Sequence, residues 1–505
     1  MKLAQLLGCL SQAELTGDGD IEIAGLYYDS RQVRPGGLFF ALAGVKSDGA
    51  RFLEAAVRGG AVAVVADRPL AVSGVSVVQV PDARLAMSLM ASLFYGRPTA
   101  TVPVVGITGT NGKTTTSYLI EGILEAGGLP AAVLGTISYR FGETTRPAPN
   151  TTPESVDLQR TLRELVDLGA KSVVMEVSSH SLEQHRPDGC LFDVAVFTNL
   201  TRDHLDYHLD MDSYFASKLR LFTDLLAPSG GKPLRRAVVN LDDPYGVRVA
   251  AAAKAPVLSY AMAGKADLTV AEVDFSVHGI RCLLRTPRGE LSLVSELLGR
   301  FNLYNILAAV GVGLALGLSD DAIREGIQGH KKVPGRVERV ANDQGITVLV
   351  DYAHTGDALE NVLATIAELK PPRIITLFGC GGDRDKGKRP LMGEIAARYS
   401  DLAILTSDNP RTEDPQAILA DVRAGITPLS LREYSQKELE AGFTEKGFAA
   451  IESRREAVRT AILVARPGDI VILAGKGHED YQIIGTEKFH FDDCEEAAAA
   501  LRLRG

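Results

Sequence analysis

The chain has 505 residues, 46% of them hydrophobic and 23% charged, with 50 glycines and no tryptophan. That is too long for one ordinary core and implies roughly two to four domains. Its 54 basic and 63 acidic residues leave a net charge of −9, and no basic stripe appears, which speaks against a nucleic-acid partner.

The opening stretch, MKLAQLLGCLSQAELTGDGD, carries one lysine and a brief apolar run before turning acidic. It reads as an amphipathic helix rather than a signal peptide. Five cysteines (Cys9, Cys190, Cys282, Cys380, Cys494) are scattered without CxxC spacing. Neither a disulfide framework nor a zinc site is indicated, and a reducing cytoplasm is expected. Through residues 1–100, IAGLYYDSRQVRPGGLFFAL predicts strand, turn and strand, with Pro35-Gly36-Gly37 as the breaker. FLEAAVRGGAVAVVAD then predicts a helix running into a buried strand.

A second unit opens at TVPVVGITGTNGKTTTSYLIEGILEAGG: an apolar strand, a Gly/Thr-rich loop, and an amphipathic helix ending at Gly127-Gly128. Buried strands are expected at KSVVMEVSS, FDVAVFTNL and RRAVVNLDD, alternating with helices, the pattern of an open, mainly parallel sheet. The longest apolar stretch, Ile306 to Leu318, is too short and Gly-rich to span a bilayer. Pro/Gly punctuation in KKVPGRVE marks a further boundary. Beyond it, TVLVDYAH, RIITLFGCGG, LAILTSDNP and DIVILAGKGHE predict four strands of a doubly wound third domain. The expected fold class is therefore α/β with three domains, at 1–100, 101–334 and 335–505.

The loop Gly106–Thr116 sits between strand and helix, where backbone N–H groups and the helix dipole favour phosphate. Gly109 and Gly112 permit close approach, Lys113 can reach the β- and γ-phosphates, and Thr114 can ligate Mg²⁺. Five residues rather than four separate Gly106 from Gly112, so the loop is a compact GTNGKTT variant of the Walker pattern. Glu176 and His204 end or follow consecutive strands, at the sheet edge where α/β proteins place ligands. In AILTSDNPRTEDP, Arg411 lies among Asp408, Glu413 and Asp414, with prolines on either side. An arginine held rigidly at a strand end is suited to a flat anion, whereas a solvated turn with self-paired charges is the bland alternative.

With these residues in hand, the chain resembles the Mur ligase family over nearly its whole length. GTNGKTT, MEVSSH, TNLTRDHLDYH, GRFNLYN, PGRVE, DYAH, GCGGDRDKGKRPLM, SDNPRTEDP and AGKGHED carry the resemblance. It implies an ATP-dependent ligase that extends the peptidoglycan stem peptide through an acyl phosphate. It further implies an N-terminal UDP-binding domain, a central P-loop ATPase-type domain and a C-terminal Rossmann-like domain; closure of the third domain on nucleotide binding is expected, because it would exclude water from the acyl phosphate.

By resemblance, Gly109, Thr110, Asn111, Gly112, Lys113, Thr114, Thr115, Asn302, Arg336 and Asp351 hold ATP. Tyr28, Ser30 and Lys46, near Asp29-Ser30-Arg31, together with Asn150, Thr151, Thr152, Ser178, Gln184 and Arg186, hold the UDP-muramoyl-dipeptide. Thr114, Glu176, His204 and Lys218, the last as a carbamate, hold Mg²⁺, and Lys113, Glu176, His204 and Lys218 are catalytic. Arg389, Asp408, Asn409, Pro410, Arg411, Gly475 and Glu479 hold the incoming amino acid, and the D-N-P-R sequence resembles the motif for meso-diaminopimelate. The extra carboxylate of diaminopimelate can be bound bidentately by Arg411, and sites built on such buried polar contacts discriminate by ~10⁴ or more. His354 is a general-base candidate by location alone. A cytoplasmic monomer acting on small molecules, without membrane insertion, is expected.

Three rivals stand beside this reading. One is the same chemistry with lysine or a folate as acceptor; the D-N-P-R motif and UDP-like segment speak against it. Another is a P-loop switch or motor, for which Walker spacing and a switch segment are missing. The third is a non-catalytic binder of UDP-sugar peptides, disfavoured by Lys113, Glu176, His204 and Lys218.

Overall fold

The computed structural model describes every residue except 45–47, 71, 204–206, 227–231, 330–331 and 505. Two candidate residues, Lys46 and His204, lie outside the described residues. The fold is mixed α/β with three sheet-rich domains, mostly parallel, as the sequence pattern predicts.

The first sheet has the order Glu14–Thr16, Ser76–Gln79, Ala61–Ala66, Gly37–Phe40, Gly25–Tyr27. The Glu14–Thr16 edge is antiparallel and the remaining pairings are parallel. The strands flanking Pro35 therefore lie side by side in parallel, not as a hairpin. The N-terminal helix is short, Leu3–Leu7, with Leu3 and Leu6 buried.

The second sheet has eleven strands. At its centre Ala131–Leu134, Ser172–Glu176, Val104–Thr108, Val194–Phe197, Arg236–Asn240 and Val257–Ala261 run parallel. Every residue of Val104–Thr108 is buried, as befits a strand covered on both faces. Gly106 lets the Phe192 ring pack onto it, since a Cβ there would lie 2.6 Å from that ring. The following helix, Lys113–Ala126, is pinned by Asp320–Gly329, where a Cβ at Gly326 would fall 2.4 Å from the Ile123 backbone. This close packing fixes the helix and hence the loop before it.

The third sheet has seven strands. Thr347–Asp351, Ile470–Ala474, Ile374–Cys380 and Leu402–Ser407, the four strands expected from sequence, are neighbours and parallel. Gly447–Ala450 extends them in parallel, and Glu338–Val340 joins Thr347–Asp351 antiparallel. The chain packs as two compact units. One comprises Met1–Glu272, Leu283–Leu293 and Tyr304–Gly329; the other comprises Val273–Cys282, Val294–Leu303 and His330–Gly505. Among the described residues, no helix is long and apolar enough to cross a membrane.

In the second unit a buried ion pair ties elements together behind the sheet edge. Arg454 Nε and Nη2 donate to Asp493 at 2.8 and 2.6 Å, and Nη2 also donates to the Ala474 carbonyl at 3.1 Å. Both side chains are fully buried. Removing one partner of such a pair strands the other charge without solvent. Arg454→Met is expected to destabilise the protein by about 3–5 kcal/mol, read as a lower denaturation midpoint; a change below about 1 kcal/mol would contradict this.

Candidate functional site

The phosphate loop is built for close approach. Gly109 has φ 144° and Gly112 φ 87°, backbone that side chains resist. A Cβ at Gly109 would lie 2.0 Å from Thr198 Oγ1, and one at Gly112 would lie 2.3 Å from Asn305 Oδ1. The segment after Val194–Phe197 braces the loop: the Thr110 N–H donates to the Asn199 carbonyl at 2.9 Å and Thr198 Oγ1 donates to the Asn111 carbonyl at 2.7 Å. Lys113 Nζ folds over the loop, donating to the Gly109 and Thr110 carbonyls at 3.0 and 2.7 Å. Thr114 and Thr115 are buried in the first helical turn.

Glu176 ends its strand beside the loop and is only 1% exposed. Its Oε2 accepts from Thr114 Oγ1 at 3.2 Å and Thr136 Oγ1 at 2.8 Å, and its Oε1 accepts from the Thr136 N–H at 3.0 Å. Thr136 was not foreseen from the sequence. The readable signal was a Gly-Thr pair directly after the apolar run Ala131–Leu134, at the same carboxyl edge that singled out Glu176. Gly135 admits the carboxylate, since a Cβ there would meet Glu176 Oε1 at 2.4 Å.

The residues assigned to the muramoyl-dipeptide join this network. Thr136 Oγ1 lies 3.1 Å from Thr151 Oγ1, and Thr152 Oγ1 donates to the Glu176 carbonyl at 2.8 Å. The Ser178 N–H donates to Thr152 Oγ1 at 3.2 Å. Arg186 donates to the Thr152 carbonyl at 2.9 Å and to Gln184 Oε1 at 2.7 Å. The Asn150 carbonyl accepts from the Tyr139 hydroxyl at 2.5 Å. Tyr28 is further along, its hydroxyl taken up by Asp157, and Ser30 is half-buried in the turn after Gly25–Tyr27. Asp29 and Arg31 pair with each other at 2.7 Å.

Lys218, on the helix Met211–Arg220, is 1% exposed and donates to the Gly109 carbonyl at 2.8 Å. Burial pushes its ammonium well below the usual lysine range, and the Lys113 charge adds to this. Thr114 and Glu176 supply the hard oxygens that Mg²⁺ takes. Among the described residues no cluster of three or more His, Cys, Asp or Glu is arranged to hold a metal alone.

The second unit carries the other group of candidates. Arg411 follows Leu402–Ser407 with φ 51°. Its Nη1 donates to the Gly382 carbonyl at 2.8 Å. The surrounding acids are engaged elsewhere: Glu413 with Arg389 and Lys386, Asp408 with Lys476, and Asp414 as the cap of helix Pro415–Ile426. Among the described residues, Arg411 has no carboxylate in ion-pair range, so the self-paired surface turn is not what forms. Pro410 completes the turn, its carbonyl accepting from the Glu413 N–H at 3.1 Å.

Asn409 Nδ2 donates to Glu479 Oε2 at 3.0 Å. Burial and the neighbouring Asp408 charge push the Glu479 carboxyl up. Gly475, with φ 111°, turns the chain out of Ile470–Ala474. Arg389 is fully buried, its Nη1 and Nη2 donating to Glu413 and Nη1 also to Asp421. This pairing holds the Glu413 carboxyl down to about 2. The structure thus gives Arg389 internal partners, and it reaches the Arg411 turn through Glu413.

Asn302, Arg336 and Asp351 belong to this second unit, while the phosphate loop belongs to the first. Asn302 Nδ2 donates to the Leu298 carbonyl at 2.9 Å. Asp351 accepts the Val337 and Ala353 N–H groups, each at 2.8 Å, and burial pushes its carboxyl up. Arg336 lies 4.9 Å from the Tyr352 ring centre, with its Nε buried and without a hydrogen-bond partner. His354 is exposed, its Nδ1 2.9 Å from the Tyr352 carbonyl. Lys476, also unforeseen, stands between Gly475 and Glu479; AGKGHED displayed it, but only its neighbours were singled out.

A Gly/Thr phosphate loop on a central parallel strand, with a buried carboxylate at its side, defines an α/β protein of the phosphate-loop class. Profiles described as Mur ligase family, catalytic domain; Mur ligase middle domain; and Mur ligase, glutamate ligase domain match residues 22–95, 107–313 and 335–477. The chain is 65% identical over 503 residues to a Geobacter metallireducens protein named UDP-N-acetylmuramoyl-L-alanyl-D-glutamate--2,6-diaminopimelate ligase, covering 99% of this chain and 98% of that protein. A Geobacter sulfurreducens protein of the same name is 64% identical, covering 99% of each. A solved structure bearing this name aligns with TM-score 0.73 at 34% identity, covering 100% of this chain and 99% of that one. The chain belongs to the Mur ligase family.

The Thr136 contacts generate a test. Thr136→Val should weaken Mg²⁺-dependent nucleotide binding about 10- to 100-fold, with Thr136→Ser restoring it. Titration of Mg²⁺ against nucleotide affinity reads this directly, and equal affinities for Val and wild type would refute it.

Proposed function

We propose that this chain joins meso-diaminopimelate to the D-glutamyl γ-carboxylate of UDP-N-acetylmuramoyl-L-alanyl-D-glutamate, using ATP, in cytoplasmic peptidoglycan precursor synthesis. Cell-wall assembly, and through it cell shape and division, would depend on the product. One observation carries the choice of amino acid: Arg411 is held by backbone carbonyls while, among the described residues, the adjoining Asp408, Glu413 and Asp414 are engaged elsewhere. Its relatives' printed name, a 2,6-diaminopimelate ligase, supports the same choice.

The working division is three domains: 1–100 for the UDP handle, 101–334 for ATP and 335–505 for the amino acid. The chain acts as a monomer on small molecules. The γ-carboxylate oxygen attacks the γ-phosphorus of ATP, ADP leaves, and an acyl phosphate forms. The diaminopimelate amine then attacks the carbonyl carbon; phosphate departs, and the amine surrenders its proton. Phosphoryl transfer asks mainly for positioning and charge neutralisation.

The glycine loop cradles the phosphates, and Lys113 turns from its loop carbonyls to a phosphate oxygen. Thr114 and Glu176 would hold Mg²⁺, joined by His204 and by Lys218 as a carbamate. Bound there, the ion would supply positive charge that relieves repulsion between carboxylate and phosphate. Lys218 suits carbamate formation because a buried, depressed ammonium yields the neutral amine that reacts with CO₂. Thr151, Thr152, Ser178 and Arg186 orient the muramoyl-dipeptide against that edge, while Asn302, Arg336 and Asp351 attend the nucleotide. Arg411 takes the distal carboxylate, and Glu479, with Asp408 and Asn409, takes the adjoining ammonium.

Phosphate release with the UDP-muramoyl-dipeptide should be rapid with diaminopimelate and slow with lysine. ATP turnover without either acceptor would favour a motor, and no turnover at all would favour a binding module. Arg411→Ala should raise KM for diaminopimelate about 100-fold or more and erase the preference over lysine; an unchanged preference would refute the assignment. Lys218→Ala should be nearly inactive and regain activity with short carboxylic acids, and a lack of rescue would count against the carbamate.

A further inference from the structure

Lys476 is the one fully buried ammonium among the described residues of the amino-acid site. It follows Gly475 at the carboxyl end of strand Ile470–Ala474. Its Nζ lies 2.6 Å from the Tyr481 carbonyl, 3.2 Å from Asp408 Oδ1 and 3.3 Å from Asn409 Oδ1. Two N–H bonds of the ammonium go to the Tyr481 carbonyl and Asn409 Oδ1, and the Asp408 carboxylate stands at ion-pair distance. Glu479 Oε2 stands further off, at 3.9 Å. The lysine side chain is fully buried and acts through these neighbours.

Its effect passes through Asn409. Asn409 Oδ1 receives two donors, the Lys476 ammonium and the Ile483 N–H at 2.9 Å. Two pure donors on one atom settle which end of the amide is oxygen. The NH₂ end is left to face Glu479, 3.0 Å away. Without the ammonium, Oδ1 keeps only the Ile483 N–H, and the amide that faces Glu479 is held less firmly. Lys476 also stands between two acids, Asp408 and Glu479, whose charges would otherwise meet unscreened in a half-buried pocket.

We infer that Lys476 is a positioning residue for the amino-acid site, orienting the Asn409 amide and thereby the Glu479 carboxylate. This rests on the ligase reading above, in which Glu479 receives the ammonium of diaminopimelate. Burial pushes the Lys476 ammonium down while Asp408 and Glu479 pull it back up, so the acids and the lysine sustain each other's charges.

The test is a double-mutant cycle in the full-length enzyme with Lys476→Met, which keeps length and removes all three donors, and Glu479→Gln. Lys476→Met should raise KM for diaminopimelate roughly tenfold to hundredfold. KM for ATP and for the UDP-dipeptide should stay within about twofold, because the contacts of Lys476 lie wholly in this cluster. Adding Glu479→Gln to Lys476→Met should bring little further loss, since the lysine acts through that carboxylate. Independent, multiplying losses would overturn the inference, as would equal rises in all three KM values. If Lys476→Met does not fold, Lys476→Gln takes its place in the same cycle, and insolubility of both assigns the lysine a purely structural role and overturns the proposal. Wild-type phosphate release is measured first: no turnover with diaminopimelate sinks the ligase reading itself, whereas normal turnover with an unselective Lys476 variant sinks only this inference.

Discussion

The Glu176 carboxylate is the constraint on which the first unit's candidate site depends. It is almost wholly buried, where an ion is expensive unless several donors meet it. Three do: the Thr114 hydroxyl from the phosphate-loop helix and the hydroxyl and N–H of Thr136 from the neighbouring strand end. The parallel register makes this possible, because Ser172–Glu176 runs between Ala131–Leu134 and Val104–Thr108 and all three release their chains at one edge. The network continues through Thr151 and Thr152 to Arg186. Loop, carboxylate and strand-end threonines are thus one hydrogen-bonded object, and shifting any member leaves another buried group unpaired.

The second unit solves a different electrostatic problem. Arg389, Arg454 and Lys476 are fully buried cations, and each has anionic partners: Glu413 and Asp421, Asp493, and Asp408 respectively. Buried pairs of this kind add little net stability over apolar packing, yet they penalise every arrangement that separates them. They therefore act as registration devices for the turns at the sheet edge. Arg389 holds Glu413, Glu413 accepts the Asp383 N–H at 2.6 Å, and Asp383 in turn accepts from Thr412 Oγ1 at 2.9 Å. The turn that presents Arg411 is clamped by a run of charges anchored on the fully buried Arg389.

The architecture was largely legible because parallel strands buried on both faces write continuous apolar runs, and the glycines of a phosphate loop are sterically forced. TVLVDYAH and DIVILAGKGHE announced two neighbouring strands for that reason. Gly447–Ala450 was harder, since GFAA is short and has no β-branched residue. The parallel pairing of Gly25–Tyr27 with Gly37–Phe40 was also hidden, because a turn-rich connection says nothing about which end the chain returns to. At the site, strand-end position pointed to Glu176 but not to Thr136, whose role is contact with a neighbour distant in sequence. Arg389 shows the converse: the motif marks the residue, but only the fold reveals that Glu413 and Asp421 occupy its guanidinium. Lys46 and His204 remain assignments by sequence.

The backbone at Arg411 bears on what that residue is for. A side chain at φ 51° sits in the left-handed region, where non-glycine residues are strained by about 1–3 kcal/mol. Glycine would remove the strain, and the turn would keep its fastenings, since the N–H to the Ile483 carbonyl and the carbonyl to the Gly485 N–H are both main chain. What glycine cannot supply is the guanidinium, which donates to the Gly382 and Asn409 carbonyls and, among the described residues, has no carboxylate in ion-pair range. Backbone preference alone therefore does not account for arginine here. With Asp408, Glu413 and Asp414 already engaged, the guanidinium charge is left available to an anion from outside the chain, the role proposed for Arg411.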